Sequence, residues 1–283
     1  MIDKETLLQI KKYEQPYQAE KDYLQELFLY MLYKELGDSL IFKGGTAISK
    51  FYGSVRFSDD LDFSIYRKGS RPESIIKKLN LVIGKISNEY PTIVLRKKIK
   101  KVSAFEISIR GPFFEIYNKY QHLKIEVDNK VAVYEAANIV RRNPVYPDIM
   151  PYIAVVMSER EILAEKVVAL MFRHNLKARD LFDLYFLIDK NTRVDVNLID
   201  KKMKEHGHTF HEEKLIKSVE IIGKIWDAEL DRLIPKEHMI TFQRAKKNRV
   251  QTIYDRRATV ILPIKYVHHN VIKCINMYIS IYT

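Results

Sequence analysis

Acidic residues alternate with apolar ones shortly after a glycine pair, and this pattern constrains the fold of the 283-residue chain most strongly. The polar side of the alternation holds Asp60, Asp62 and Ser64, and the apolar side holds Leu61, Phe63 and Ile65. Strict alternation is typical of a half-buried strand, on which side chains two positions apart lie roughly 7 Å apart on one face. Two carboxylates at that spacing repel each other unless a cation lies between them, and Mg²⁺ prefers oxygen ligands. The pattern therefore predicts a strand over residues 60–66 that carries a magnesium site.

The glycine pair, Gly44-Gly45, is followed by Thr46 and a short helical pattern that ends near residue 52. Without Cβ atoms, such a pair lets backbone N–H groups approach a ligand closely, and a helix start attracts anions. A simple turn is the alternative interpretation of two adjacent glycines. Between the glycines and the acidic strand, Arg56 and Ser58 are expected either to brace the strand or to contact a phosphate.

A third carboxylate is needed to hold two metal ions and to position a nucleophile. The segment from His122 to Asp128 alternates again and places Lys124, Glu126 and Asp128 on one face. If this strand lies beside residues 60–66, Glu126 can join the two aspartates, and Asp128 is the alternative third ligand. An exposed polar face without ligands is the other interpretation of the same pattern.

Lys166 lies among apolar residues of a predicted helix, which is an unusual place for a lysine. The side chain either extends to the edge of the apolar stripe or reaches into a cleft to bind a phosphate as a point charge. Further along, Arg179 and Asp183 are four residues apart, which predicts a surface ion pair on a helix. Asp180 points to a different face, so this pairing leaves it unexplained.

Apolar periodicity predicts helices over residues 17–36, 73–89, 158–174 and 177–189. Further strands are predicted over about 92–98, 102–109 and 122–128. The front half is therefore expected to be α+β, and the chain after about residue 197 mostly helical, with an ambiguous pattern over 259–283. We expect one domain over residues 1–190, with its end between 150 and 195, and a helical domain over residues 191–283.

Composition excludes several classes of protein. The single cysteine, Cys274, rules out an intrachain disulfide and a cysteine zinc site, so the cytoplasm is the expected location. No run of 18 apolar residues occurs, and the charged start is not a signal peptide, so no membrane partner is expected. The net charge of +12 favours a polyanionic partner, although a merely solvated lysine-rich surface explains it equally well. The densest basic runs lie at 96–101 and 244–257.

The run from Lys43 to Asp62 resembles the AbiEii-type nucleotidyltransferase-like toxins of the DNA polymerase β-like superfamily. The residues that carry this resemblance are Lys43-Gly44-Gly45-Thr46 and Arg56-Phe57-Ser58-Asp59-Asp60-Leu61-Asp62. Three later segments look like further motifs of the family: Lys124-Ile125-Glu126-Val127, Glu165-Lys166 and Arg179-Asp180-Leu181-Phe182-Asp183-Leu184. The resemblance spans about residues 40–190, and its one departure is glutamate at position 126, where aspartate is common.

The resemblance implies a nucleotidyltransferase-like mixed sheet flanked by helices, with a C-terminal helical bundle in some relatives. It also implies nucleotidyl transfer by a toxin that accompanies an antitoxin, with tRNA 3′ ends as acceptors for some members. On this basis Asp60, Asp62 and Glu126 are expected to hold two Mg²⁺ ions, and Gly44, Gly45 and Thr46 to cradle the triphosphate. Lys166 would neutralise phosphate charge, Asp180 would orient Lys166 or the nucleotide, and Arg56 and Ser58 are further candidate nucleotide contacts.

Two alternatives place no catalysis on this scaffold. The basic runs would serve a non-catalytic nucleic-acid-binding module, or the basic surface would serve only an acidic antitoxin. The nucleotide, the acceptor and the oligomeric state do not follow from residue spacing.

Overall fold

The structure is a computed structural model that describes residues 1–10, 13, 15–65, 72–89, 95–101, 104–128 and 132–239. Within these residues the helices are α1 (Lys4–Gln9), α2 (Pro16–Leu36), α3 (Gly44–Phe51), α4 (Pro72–Glu89), α5 (Phe114–Tyr117), α6 (Glu159–Phe172), α7 (Ala178–Asp189), α8 (Val196–Glu205) and α9 (Glu212–Leu230). The strands are β1 (Leu40–Lys43), β2 (Asp60–Ile65), β3 (Leu95–Lys101), β4 (Ala104–Ile109), β5 (Gln121–Asp128), β6 (Asn138–Arg142) and β7 (Tyr152–Val156). The four predicted helices are confirmed as α2, α4, α6 and α7.

The strands form one mixed seven-stranded sheet in the order β3-β4-β5-β2-β1-β7-β6. Strand β2 lies at its centre, antiparallel to β1 and parallel to β5. The predicted acidic strand is confirmed over Asp60–Ile65, and the predicted strand at 122–128 lies beside it. Because β2 and β5 are parallel neighbours, residues level with one another direct their side chains to the same face of the sheet.

Helices cover the sheet and bury its apolar positions. Leu61 and Phe63 of β2 are fully buried, as the alternation predicts, whereas Asp60 and Asp62 are half-buried. Helix α2 packs on β5 and β7, and α3 packs on β1 and β2. The structure thus confirms the α+β fold class with a mixed sheet flanked by helices.

Charged and polar side chains form an enclosed network between α2, α3, β6 and β7. The fully buried ammonium of Lys50 on α3 contacts Asp22 Oδ1 at 2.7 Å and Glu26 Oε2 at 3.2 Å. Arg142 Nε donates to Glu26 Oε1 at 2.9 Å. The hydroxyls of Tyr146 and Tyr152 donate to Asp22 Oδ2 at 2.6 Å and to Glu26 Oε1 at 2.8 Å. Each buried charge therefore has an opposite charge or a donor beside it, which offsets the cost of removing it from water.

Contacts divide the chain into two compact units. The first holds the described residues of 1–53 and 57–158, and the second holds residues 54–56 with the described residues from Glu159 to Met239. In the second unit, α6 packs against α7, α8 and α9. The domain boundaries expected from the sequence, 1–190 and 191–283, stay a prediction. Residues 240–283 of the second expected domain lie outside the described residues.

The structure does not describe the side chains of the basic run at 96–101. It also does not describe the basic run at 244–257 or the ambiguous segment at 259–283. Among the residues that are described, no helix is long and apolar enough to span a bilayer.

We expect Tyr146→Phe to lower the free energy of unfolding by about 1.5–3 kcal/mol, because Asp22 loses a buried donor to a charged oxygen. Denaturant titration measures this loss. Tyr117→Phe is the matched control, because Tyr117 is 51% exposed, and its effect should stay within about 0.5 kcal/mol. Equal effects of the two substitutions would show that the Tyr146 hydroxyl adds nothing to the network.

Candidate active site

The glycine pair forms the turn between β1 and α3. Gly44 has a φ of +76°, a left-handed backbone conformation that residues other than glycine rarely adopt. Helix α3 begins at Gly44 itself, two residues earlier than the pattern from Thr46 predicts. The backbone N–H groups of its first turn have no partner within the helix, as at any helix start.

Gly44 lies directly against the carboxylate of Asp62. A Cβ atom at position 44 would lie 2.5 Å from Asp62 Oδ2, which is closer than any real contact of this kind. The absence of a side chain is therefore what lets the turn approach the acidic strand. The start of α3 and one of the predicted metal ligands consequently occupy one small region of the first unit.

Thr46 also joins the same turn to the acidic strand. Its buried hydroxyl donates to the backbone carbonyl of Asp60 at 2.5 Å. This hydroxyl is therefore engaged by the protein, and the contact joins α3 to β2 at the position of the first aspartate. Gly45 and Thr46 remain predicted to cradle the phosphates, and the groups that would do so are their backbone N–H groups.

The register of β2 and β5 brings the predicted carboxylates together on one face. Asp62 is level with Glu126, and Asp60 is level with Lys124. Asp128, the alternative third ligand, is level with Ser64 and lies further along the sheet. Glu126 is thus the carboxylate of β5 that stands beside Asp62.

Lys124 and Lys43 bind the acidic side chains of this face. Lys124 Nζ contacts Glu126 Oε1 at 2.5 Å, and Lys43 Nζ contacts Asp128 Oδ2 at 3.2 Å. The hydrogen bond that Lys124 donates to Glu126 raises the pKa of Lys124, partial burial opposes this, and the charges of Asp60 and Asp62 add to it. The three carboxylates that are predicted to hold a metal therefore already stabilise the charged form of Lys124.

The same carboxylates can serve as ligands of a hard divalent cation, since oxygen donors of this kind are what Mg²⁺ prefers. In the described part of the chain, no three acidic, histidine or cysteine side chains converge closely enough to hold a metal ion. Asp60 and Asp62 fit Mg²⁺ as neighbouring oxygen donors, whereas Glu126 can join them only by turning away from Lys124.

The segment before β2 is held by α2. Gln25 Nε2 donates to the carbonyl of Ser58 at 2.9 Å and to that of Asp59 at 3.0 Å. The carboxylate of Asp59 contacts Lys21 Nζ at 2.8 Å. Sequence reasoning missed Gln25, because no local pattern links a glutamine on α2 to a strand start. The alternation predicted that Lys124 and Glu126 share one face of the strand, but it did not reveal the ion pair between them.

Lys166 and Asp180 belong to the second unit, where they form part of a buried ionic cluster. Lys166 Nζ lies 2.9 Å from Asp180 Oδ1 and 2.7 Å from Asp183 Oδ2. Burial lowers the pKa of Lys166, but the charges of Asp183 and Asp180 outweigh it and raise the pKa. The prediction that Asp180 orients Lys166 or the nucleotide stays a prediction, as do the roles of both residues at the phosphate. Arg173 also binds Asp180.

Arg56 requires a correction. Its guanidinium is 2% exposed and donates from Nε and Nη2 to Asp183 at 2.8 and 2.9 Å. A guanidinium enclosed in this way does not reach a phosphate, so we assign Arg56 a structural role in place of the predicted nucleotide contact. The predicted surface pair of Arg179 with Asp183 is also wrong, because Asp183 is buried against Arg56 and Lys166.

Comparison with known families identifies the class of protein to which the chain belongs, the nucleotidyl transferases. The model of the family described as "Nucleotidyl transferase AbiEii toxin, Type IV TA system" matches residues 27–255. The chain therefore belongs to the AbiEii nucleotidyltransferase toxin family. A comparison with curated protein sequences found no match.

Two solved structures illustrate the likeness. MenT4 from Mycobacterium tuberculosis, a nucleotidyltransferase toxin, is 17% identical, with a TM-score of 0.55 over 99% of this chain and 90% of that one. JHP933 from Helicobacter pylori is 23% identical over 80% of this chain and 85% of that one, with a TM-score of 0.49. The likeness to MenT4 shows the fold. Family membership makes the chain a nucleotidyltransferase of a toxin–antitoxin system, which implies a nucleotide substrate and an antitoxin partner.

We expect Gly44→Ala to lower the free energy of unfolding more than Gly53→Ala, which serves as its matched control. Both glycines have positive φ, +76° and +86°, but a Cβ at position 53 meets nothing within 4 Å. The strained backbone should cost each variant about 1–2 kcal/mol. The clash with Asp62 should cost Gly44→Ala about 1–3 kcal/mol more. Equal losses in a denaturant titration would contradict the close approach of the turn to Asp62.

The buried cluster of the second unit predicts a pH dependence. Burial would raise the pKa of Asp183, but Arg56 and Lys166 outweigh it and hold the pKa below its ordinary value. Because the folded pKa is the lower one, these ion pairs stabilise the protein above the ordinary aspartate range. This stability is lost as the pH falls through the lowered pKa.

Asp183→Asn removes this contribution and leaves two cations without their shared partner. We expect it to lower the free energy of unfolding by about 3–5 kcal/mol near neutral pH. The remaining loss of stability on acidification should be smaller than in the wild type. Urea titrations at a series of acidic pH values test this, with Asp227→Asn on the exposed face of α9 as control.

Proposed function

We propose that the protein is a Mg²⁺-dependent nucleotidyltransferase that moves a nucleoside monophosphate from an NTP to an RNA acceptor, with tRNA as the favoured acceptor. The observation that carries the proposal is the approach of the Gly44 turn to Asp62, which brings a helix start and two carboxylates into one region. A helix start is suited to phosphate oxygens, and neighbouring carboxylates are suited to the cations that accompany a triphosphate.

Asp60 and Asp62 would hold the metal ions, and Glu126 would complete the set of ligands. Bound Mg²⁺ would stabilise charge on the attacking and leaving oxygens of an in-line displacement. Gly44, Gly45 and Thr46 would position the triphosphate through the backbone N–H groups at the start of α3, because the Thr46 hydroxyl is bonded to Asp60. Ser58 would contact the nucleotide or maintain the start of β2, where Gln25 binds its carbonyl.

In the reaction, an oxygen of the acceptor hydroxyl forms a bond to the α-phosphorus while the bond to the β-phosphate oxygen breaks and pyrophosphate leaves. Glu126 is placed beside Asp62 and would accept the hydroxyl proton. Lys166, which is paired with Asp180 and Asp183 within the second unit, is the candidate residue for neutralising phosphate charge.

An RNA acceptor is supported by the overall charge of +12, since phosphate backbones bind clusters of lysine and arginine. The alternatives are a non-catalytic nucleic-acid-binding module and a protein that binds only its antitoxin on a nucleotidyltransferase scaffold. A transfer assay separates these functions, because only the enzyme incorporates nucleotide.

We expect the protein to incorporate label from at least one of the four α-labelled NTPs into bulk tRNA in the presence of Mg²⁺ and not in EDTA. Asp62→Asn should lower incorporation by about 10²-fold or more, because the charge that holds the cation is lost. Asp59→Asn is the matched control, since Asp59 binds Lys21, and it should retain most activity.

Salt-sensitive tRNA binding without incorporation of any NTP would favour the non-catalytic module. Incorporation that is equal in the wild type and in Asp62→Asn would remove Asp62 from the catalytic site. A product found only in other cellular RNA would keep the reaction and replace the acceptor.

A further inference from the structure

Lys124 lies at the centre of the acidic face of the sheet. It is level with Asp60 on β2 and, on the other side, level with Glu106 on β4. Its ammonium contacts Glu126, the residue two positions along the same strand. The ammonium group of Lys124 thus stands among the carboxylates of this face.

The pair of Lys124 with Glu126 is accessible to solvent. The two side chains are 44% and 47% exposed, whereas Lys43 on Asp128 is 12% exposed and Lys50 on Asp22 is fully buried. Exposed ion pairs contribute little to stability and exchange readily, while enclosed pairs are costly to break. Of these three lysines, Lys124 is therefore the one that another cation can replace at low cost.

We propose that Lys124 is a built-in counter-ion that competes with the divalent metal for Asp60, Asp62 and Glu126 and so sets the metal concentration that the site requires. The proposal rests on the proposed function, because it assumes that these carboxylates bind the metal. When Lys124 is displaced, Glu126 becomes available beside Asp62. Lys43 keeps Asp128 engaged, so Glu126 and not Asp128 is the carboxylate that this exchange releases.

A purely structural role for Lys124 makes a different prediction. If the lysine only stabilised β5, its removal would lower thermal stability and leave metal affinity unchanged or weaker. If it competes with the metal, its removal strengthens metal binding, because the repulsion between ammonium and metal disappears. Metal affinity without nucleotide therefore separates the two roles.

The test is Mn²⁺ binding to the full chain, followed by electron paramagnetic resonance of the free ion, with no nucleotide present. Lys124→Met keeps most of the aliphatic stem and removes the charge, and we expect it to bind Mn²⁺ about tenfold more tightly than the wild type. Lys124→Arg keeps the cation and should bind within about twofold of the wild type. Lys119→Met, at an exposed lysine before β5, is the matched control and should leave the affinity unchanged.

The outcomes distinguish this proposal from the proposed function. Binding that Asp62→Asn abolishes, but that Lys124→Met does not strengthen, would overturn the role of Lys124 and leave the metal site in place. If neither the wild type nor Lys124→Met binds Mn²⁺, the role of Lys124 and the proposed metal site are both overturned. The same follows if Asp62→Asn leaves Mn²⁺ binding unchanged. Tighter binding by Lys124→Met and by Lys119→Met alike would show a general charge effect and would also overturn the role of Lys124.

A second measurement uses the wild type alone, so it holds even if Lys124→Met does not fold. Acetylation of lysines by acetic anhydride, followed by mass spectrometry, reports how firmly each ammonium is held. Mn²⁺ should increase the acetylation rate of Lys124 about severalfold and leave Lys119 unchanged, because displacement from the carboxylates frees the amine. An unchanged rate for Lys124 at saturating Mn²⁺ would overturn the exchange.

Discussion

Repulsion between carboxylates on one face of the central strand pair is the constraint on which the rest of the site depends. Asp60, Asp62, Glu126 and Asp128 all lie on the polar face of β2 and β5, and the register leaves little room to separate their charges. Lysines from the same sheet compensate, with Lys124 on Glu126 and Lys43 on Asp128. The fold can therefore form a strongly acidic face without a metal ion, and we propose that it exchanges part of this compensation for Mg²⁺ in use.

The surroundings of this face are more rigidly paired than the face itself. Lys50 fixes α3 to two acids of α2 in a fully buried network, and Thr46 ties the start of α3 to Asp60. Breaking a buried pair is far more costly than breaking an exposed one, so the position of the glycine turn is set by the stronger contacts. The exposed pair of Lys124 and Glu126 is left as the part that can change. A fixed turn beside an adjustable carboxylate suits a site that must admit a charged substrate.

The sequence predicted those parts of the structure that follow from local periodicity. Alternation in β2 and β5 identified the faces of Asp60, Asp62 and Glu126, since burial of Leu61 and Phe63 leaves one orientation for the strand. Pairing between distant residues was not accessible in this way. The spacing of Arg179 and Asp183 suggested a surface pair, but spacing does not tell which side of a helix is enclosed. Arg56, far away in sequence, is the arginine that Asp183 binds.

The parallel pairing of β2 with β5 has a consequence for the time at which the protein becomes active. Asp62 and Glu126 lie next to each other only after the chain between them has folded into α4, β3 and β4 and returned to the sheet. Contacts between such distant positions form late, because the entropy of closing a long loop must first be overcome. A partly synthesised chain that ends before β5 lacks the strand that carries Glu126. Under the proposed role of Glu126, synthesis of the toxin and onset of its chemistry are separated by the folding of its own sheet.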